Sequence, residues 1–157
     1  MNMTLKAEAE ALRIALISGF MTAADVVRWA DAVIAEVDGF PDEITDVSLA
    51  RDPKALISAL ARVPGTLQPQ VTAARLFAWM RSALEAAPAK ARVVVGTLRE
   101  MALAGLAPTY AAEVRMASFE DRLELAERGS HGTAQGVFDD LRGYLRENSA
   151  EVVRLRQ

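Results

Sequence analysis

GFMTAADVVRWADAVIAEVDGFP, residues 19–41, decides the fold class. Thr22 carries a hydroxyl that can accept from a backbone N–H three residues on. Asp25 stands at that spacing, in place of the usual Glu or Gln of a capping box and beside the positive end of the helix. The helix is expected to start at Ala23. Val26, Val27, Ala30, Val33, Ile34 and Val37 recur at three- and four-residue steps and make one apolar stripe, with Arg28, Asp31 and Ala35 on the other side. Asp38-Gly39 and then Pro41 end it, because Gly suits the left-handed cap and Pro cannot continue the helix.

The same grammar extends outward. Upstream, Thr4 is the cap of a helix to about Ser18, with Leu5, Ala9, Leu12 and Leu16 on one stripe and Ile14 and Ile17 widening it, so that it is buried on more than one side. Downstream, Ile44, Val47 and Leu49 read as a short helix touching the core with one face. Asp52-Pro53, a cap followed by Pro at the first helical position, launches another through Leu56, Ile57 and Leu60 to about Val63. PGTLQPQ, residues 64–70, is the most loop-like stretch, a midpoint rather than a domain boundary, since neither half alone promises a comfortable core.

A helix from Val71 to Ala86 follows with Ala73, Leu76, Phe77, Met80, Ala83 and Leu84 on one face. Another opens at Pro88 and runs to Ala104 through Ala91, Val94, Leu98, Met101 and Ala102. Val93-Val94-Val95 alone would suit a strand, but the helical period around it outweighs that. Tyr110, Val114 and Ala117 form a stripe half a turn from Phe119, Leu123 and Ala126, so a helix break is expected near Ser118. The last helix begins near Thr133 and uses Ala134, Val137, Phe138, Leu141, Tyr144 and Leu145, with Val152 and Leu155 in phase. The expectation is a single all-α domain over residues 1–157, an irregular bundle of about seven or eight short helices. A helical-hairpin solenoid ranks below it, because the loose L-x-x-A…Gly recurrences share no period.

The absence of cysteine excludes thiolate metal sites, thiol nucleophiles and disulfides, and suits a reducing compartment. Glu8, Glu10 and Arg13 interrupt the apolar N-terminal segment, which lacks a secretory pattern, and the chain is read as cytoplasmic. No apolar run approaches the roughly 20 residues of a membrane span. A net charge of −3 and a pI near 5.3 disfavour nucleic acid and anionic membrane surfaces as partners.

No metal, nucleotide or hydrolase motif is present, and no cofactor is expected. The sole histidine, His131 in GSHG, adjoins Ser130 in a turn without an oxyanion loop, so the chain reads as non-enzymatic. Two features remain. Between residues 36 and 52, Glu36, Asp38, Asp42, Glu43, Asp46 and Asp52 face only Arg51. Residues 71–105 carry Arg75, Arg81, Lys90, Arg92 and Arg99 against Glu85 and Glu100, which makes the chain electrically two-ended. Trp29 and Trp79 lie about 100° from the centres of their apolar stripes, where a large ring either fills a second helix contact or anchors a partner.

These features point to a module that binds another, basic protein through Trp29, Glu36, Asp38, Asp42, Glu43, Asp46 and Trp79. Its most concrete form is a bacterial immunity or antitoxin-like protein. The alternatives are a small apolar ligand in a pocket walled by Trp29, Phe40, Phe77 or Trp79, and a self-assembling homo-oligomeric subunit.

Overall fold

The computed structural model describes residues 4–155, with side chains up to Ser149. It is all-helical, with eight α-helices and one short 3-10 turn among the described residues. By contacts the chain divides into two compact units, Met1–Thr72 and Ala73–Gln157.

The first unit contains α1 (Thr4–Ile17), α2 (Ala23–Glu36), α3 (Asp42–Leu49), α4 (Pro53–Ala61) and the first turn of α5 (Pro69–Ala86). The capping box forms in full: the Asp25 amide donates to Thr22 Oγ1 at 3.2 Å and the Thr22 amide donates to Asp25 Oδ2 at 2.9 Å. That fixes the start of α2 at Ala23, where the sequence puts it. Val26, Ala30 and Val33 are buried, while Val27, Ile34 and Val37 form the half-covered edge of the stripe. Gly39, at φ +68°, turns the chain before Pro41.

Small side chains let α1 pass through the middle of this unit. Ala7, Ala9, Ala11 and Ala15 are fully buried together with Leu5, Leu12 and Ile14, so neighbours approach from several directions. α1 packs on α4, α2 on α3, and α3 on α4. Lys6 buries its stem, and its Nζ donates to the carbonyl of Ala61 at 2.9 Å, at the end of α4 and 3.7 Å from Glu10. A cation there satisfies an otherwise orphaned carbonyl at the negative end of that helix. Thr72 ties the first turn of α5 to α1 by donating to the Ala7 carbonyl at 3.1 Å.

Two expected core residues lie outside it. Ile17 is largely exposed at the end of α1, and Leu49 is 61% exposed while Ile44 and Val47 are fully buried. At 100° per residue, Leu49 points about 140° away from Ile44, too far round to share its face.

The second unit contains the rest of α5, α6 (Ala91–Leu103), α7 (Tyr110–Glu127) and α8 (Ala134–Leu155). Pro88–Lys90 is a 3-10 turn, so α6 begins three residues after the proline that was expected to open it. Val93-Val94-Val95 is helical, as the surrounding period requires. α6 and α7 end alike. Gly105 at φ +75° and Gly129 at φ +72° sit where the following amides reach back: Leu106 donates to the Met101 carbonyl, and Ser130 to that of Leu125, both at 3.0 Å. These are Schellman closures, which need a left-handed residue and so favour glycine.

The expected break near Ser118 does not occur. α7 is continuous, and its buried stripe is Met116, Phe119, Leu123 and Ala126. Tyr110 is 80% exposed and Val114 50%, so the competing stripe is not core. Ser118 caps nothing, because its hydroxyl donates back to the Arg115 carbonyl at 2.7 Å. α8 starts as expected after Thr133, whose Oγ1 accepts from the Gly136 amide at 3.0 Å. Val137, Leu141, Tyr144 and Leu145 are buried, whereas Ala134 is exposed. The Tyr144 ring lies 6.0 Å from that of Phe77 and 5.4 Å from that of Phe119, with the Arg115 guanidinium 4.7 Å above it. Burial pushes the Tyr144 phenol above its ordinary 10.0, with the Arg115 charge opposing. The backbone of α8 continues to Leu155, and the side chains of Val152 and Leu155 lie outside the described residues.

Candidate functional site

The acidic segment folds as a corner. α2 closes at Glu36 when the Val37 amide donates to the Val33 carbonyl at 2.9 Å, Gly39 reverses the backbone, and Pro41 leads into α3. Asp42 and Glu43 fall in the first turn of α3, where carboxylates favour the helix's positive end. Glu36, Asp38, Asp42 and Asp46 are exposed and Glu43 is half-buried.

A sharp partition separates these five from the other acids of the first unit. Glu8 accepts from the Trp29 indole N–H at 3.1 Å, Glu10 pairs with Arg13 at 3.0 Å, and Asp25 is held by the capping box and Arg28. Asp31 accepts from the Ser48 hydroxyl, and Asp52 caps α4 through the Ala55 amide at 2.9 Å. Asp52 thus leaves the acidic surface for a local structural role. Among the described residues, Glu36, Asp38, Asp42, Glu43 and Asp46 make no ion pair or side-chain hydrogen bond. Nor do any three His, Cys, Asp or Glu side chains among the described residues group so as to hold a metal ion.

The basic segment behaves differently. Arg81 pairs with Glu85 at 3.3 Å, Arg99 with Glu120 at 3.4 Å, and Arg92 with Glu127, while Arg75 and Lys90 are engaged as well. Residues 71–105 therefore present less open positive charge than their composition implies, because Glu120 and Glu127 arrive from α7 across the helix hairpin.

Trp29 is half-buried on α2, its indole held by Glu8 of α1, so one side of the ring serves a helix contact. Trp79 is half-buried on α5 in the second unit. His131 lies exposed in the turn after α7, in a shallow cleft of about 400 Å³ with Arg122, Thr133 and Asp140. Arg122 is already paired with Asp140, and Ser130 makes no side-chain hydrogen bond to His131 among the described residues. The adjacent serine and histidine thus have none of the mutual geometry of a nucleophile and its base.

Beside the acidic corner lies a groove of about 760 Å³ that no sequence motif announced. Leu5, Val37, Phe40, Pro41 and Pro64 supply its apolar surface, and Asp38 its carboxylate. The two loops that wall it, residues 37–41 and 64–68, were legible as turns from Gly39, Pro41 and Pro64-Gly65. Their approach to each other and to α1 was not. Of the four aromatic residues expected to wall a ligand pocket, only Phe40 lines this groove; Phe77 is buried against Tyr144, and Trp29 and Trp79 are not part of the lining.

No helix among the described residues is long and apolar enough to cross a membrane. In comparison with known proteins, no family model, curated protein or solved structure matches the chain.

Proposed function

We propose that this chain is a non-enzymatic module that binds a basic protein through the acidic corner of its first unit. The observation that carries this reading is the partition of carboxylates: every other acid between residues 4 and 72 has a partner within the unit, whereas the five from Glu36 to Asp46 have none among the described residues. Like charges gathered without partners repel one another, and a cationic surface relieves that repulsion. A toxin neutralised by such binding is the narrower form of the reading, and its basic surface is what the corner would recognise.

The test pairs the wild type with a D42K/E43K/D46K variant in affinity capture from the native source. It continues with the purified partner by stopped-flow at 20 and 300 mM salt. The expected result is a basic partner whose association rate falls at least about tenfold on reversal and falls steeply with salt for the wild type. Asp42 and Glu43 also favour the start of α3, so circular dichroism must show its helix intact. Association kinetics indifferent to the reversal would remove the corner as the contact surface.

A further inference from the structure

The groove beside the acidic corner belongs to the same surface. Leu5, buried at the start of α1, lines it together with Val37 and Phe40, both only half-covered. The walls are stiffened by Pro41 and Pro64, whose rings fix φ. Gly65 presses the second wall onto α1 so closely that a Cβ added there would lie 2.8 Å from Lys6 Cβ. Lys6, the cation in the lining, has its charge taken up by the Ala61 carbonyl and Glu10. The groove therefore has an apolar interior and a negative edge, Asp38, continuous in sequence with Glu36, Asp42 and Glu43.

We infer that the groove receives an apolar side chain from the partner, on a segment whose flanking residues are Lys or Arg. This rests on the acidic-corner reading and adds the anchor to it. A volume of about 760 Å³ is ample for a Leu or Phe side chain with its neighbours. A small apolar ligand would fill the same space but leave Asp38 and the neighbouring unpaired carboxylates unanswered, whereas cations flanking the anchor on a peptide answer them while it is seated. Apolar anchors in pockets dominate protein recognition energetics, with the surrounding charges setting rate and selectivity.

The test uses three synthetic peptides against the intact protein, read by fluorescence anisotropy and by amide chemical shifts. One carries a central Leu-Phe flanked by two Lys or Arg on each side, one replaces Leu-Phe by Ala-Ala, and one replaces the basic residues by Glu. The first is expected to bind at least about tenfold tighter than the second, the difference a buried aromatic side chain supplies, and the third not to bind. Shifts should centre on residues 37–41 and 64–68. T66W, which fills the groove from an exposed wall position, should abolish the preference for Leu-Phe. D38N should weaken the first peptide at 20 mM salt but not at 500 mM.

Equal affinity for the Leu-Phe and Ala-Ala peptides would overturn the anchor while leaving the acidic corner as a charge-only surface. Binding of none of them up to millimolar concentration would overturn both readings. Displacement of shifts at residues 37–41 by 1-decanol, with no discrimination among the peptides, would instead assign the groove to a small apolar ligand.

Discussion

The capping box at Thr22 and Asp25 fixes where α2 starts, and single substitutions in it should weaken the first unit by a measurable amount. Replacing Thr22 by Ala removes the oxygen that accepts from the Asp25 amide at 3.2 Å and the hydroxyl that donates to Asp25 Oδ2 at 2.9 Å. One N-terminal amide of α2 is left to water, and the expected cost is about 1 kcal/mol. Replacing Asp25 by Ala removes the acceptor for the Thr22 amide and should cost a similar amount. Because each residue bonds the other, the double variant should cost less than the sum of the two.

The backbone hydrogen bond from Thr22 is the chief cause that holds the Asp25 carboxyl below its ordinary 3.8, partial desolvation working against it. The folded chain therefore releases this proton more readily than the unfolded chain. The contribution is complete above the unfolded value and is lost as pH falls through the folded one, so the penalty of D25A, which removes the carboxylate that accepts from the Thr22 amide, should shrink in that acid window. Each unit contains one tryptophan, so a W79F background makes Trp29 fluorescence the reporter for urea unfolding around α2. A T22A midpoint equal to the parent's, or strictly additive single variants, would refute a reciprocal box as the device that starts this helix.

Other outcomes follow from particular packing. F119A should destabilise by about 3–5 kcal/mol, because Phe119 is fully buried against Tyr144, whereas Y110A should stay within about 0.5 kcal/mol; chemical denaturation of the two variants decides which α7 stripe is core. G65A should cost about 1–3 kcal/mol, since it places a side chain at φ +134° and a Cβ against Lys6, and a thermal midpoint equal to the parent's would contradict the close approach of that loop to α1.

The α7 stripes show where local pattern stops being sufficient. Both are visible in the sequence, half a turn apart, and a pattern that serves two faces reads locally as a break. A helix can instead remain whole and bury one face, and α6 and α8 set which one. Leu49 illustrates the same limit at the scale of a single residue: its apolarity suggested core, but its angle on a two-turn helix decided otherwise. Within the candidate site, the exposed acids were legible because unpaired charge tends to stay in water. Asp52 was legible too, through its position before Pro53, but as a cap.

By itself the sequence determined the all-helical class, the start of α2 at Ala23, the Asp52-Pro53 launch of α4, the Gly closures, and most of the buried stripes. Each of these depends on interactions spanning about five residues or fewer, so their chemistry is contained in a short window. The tertiary structure decided which charges find partners, which α7 face is covered, and that two loops about 25 residues apart converge beside Leu5 to form a groove. Those outcomes depend on which helices meet in space. The pairing of Arg99 with Glu120 and the isolation of Asp38 and Asp42 are set by that arrangement, with no local pattern to announce either.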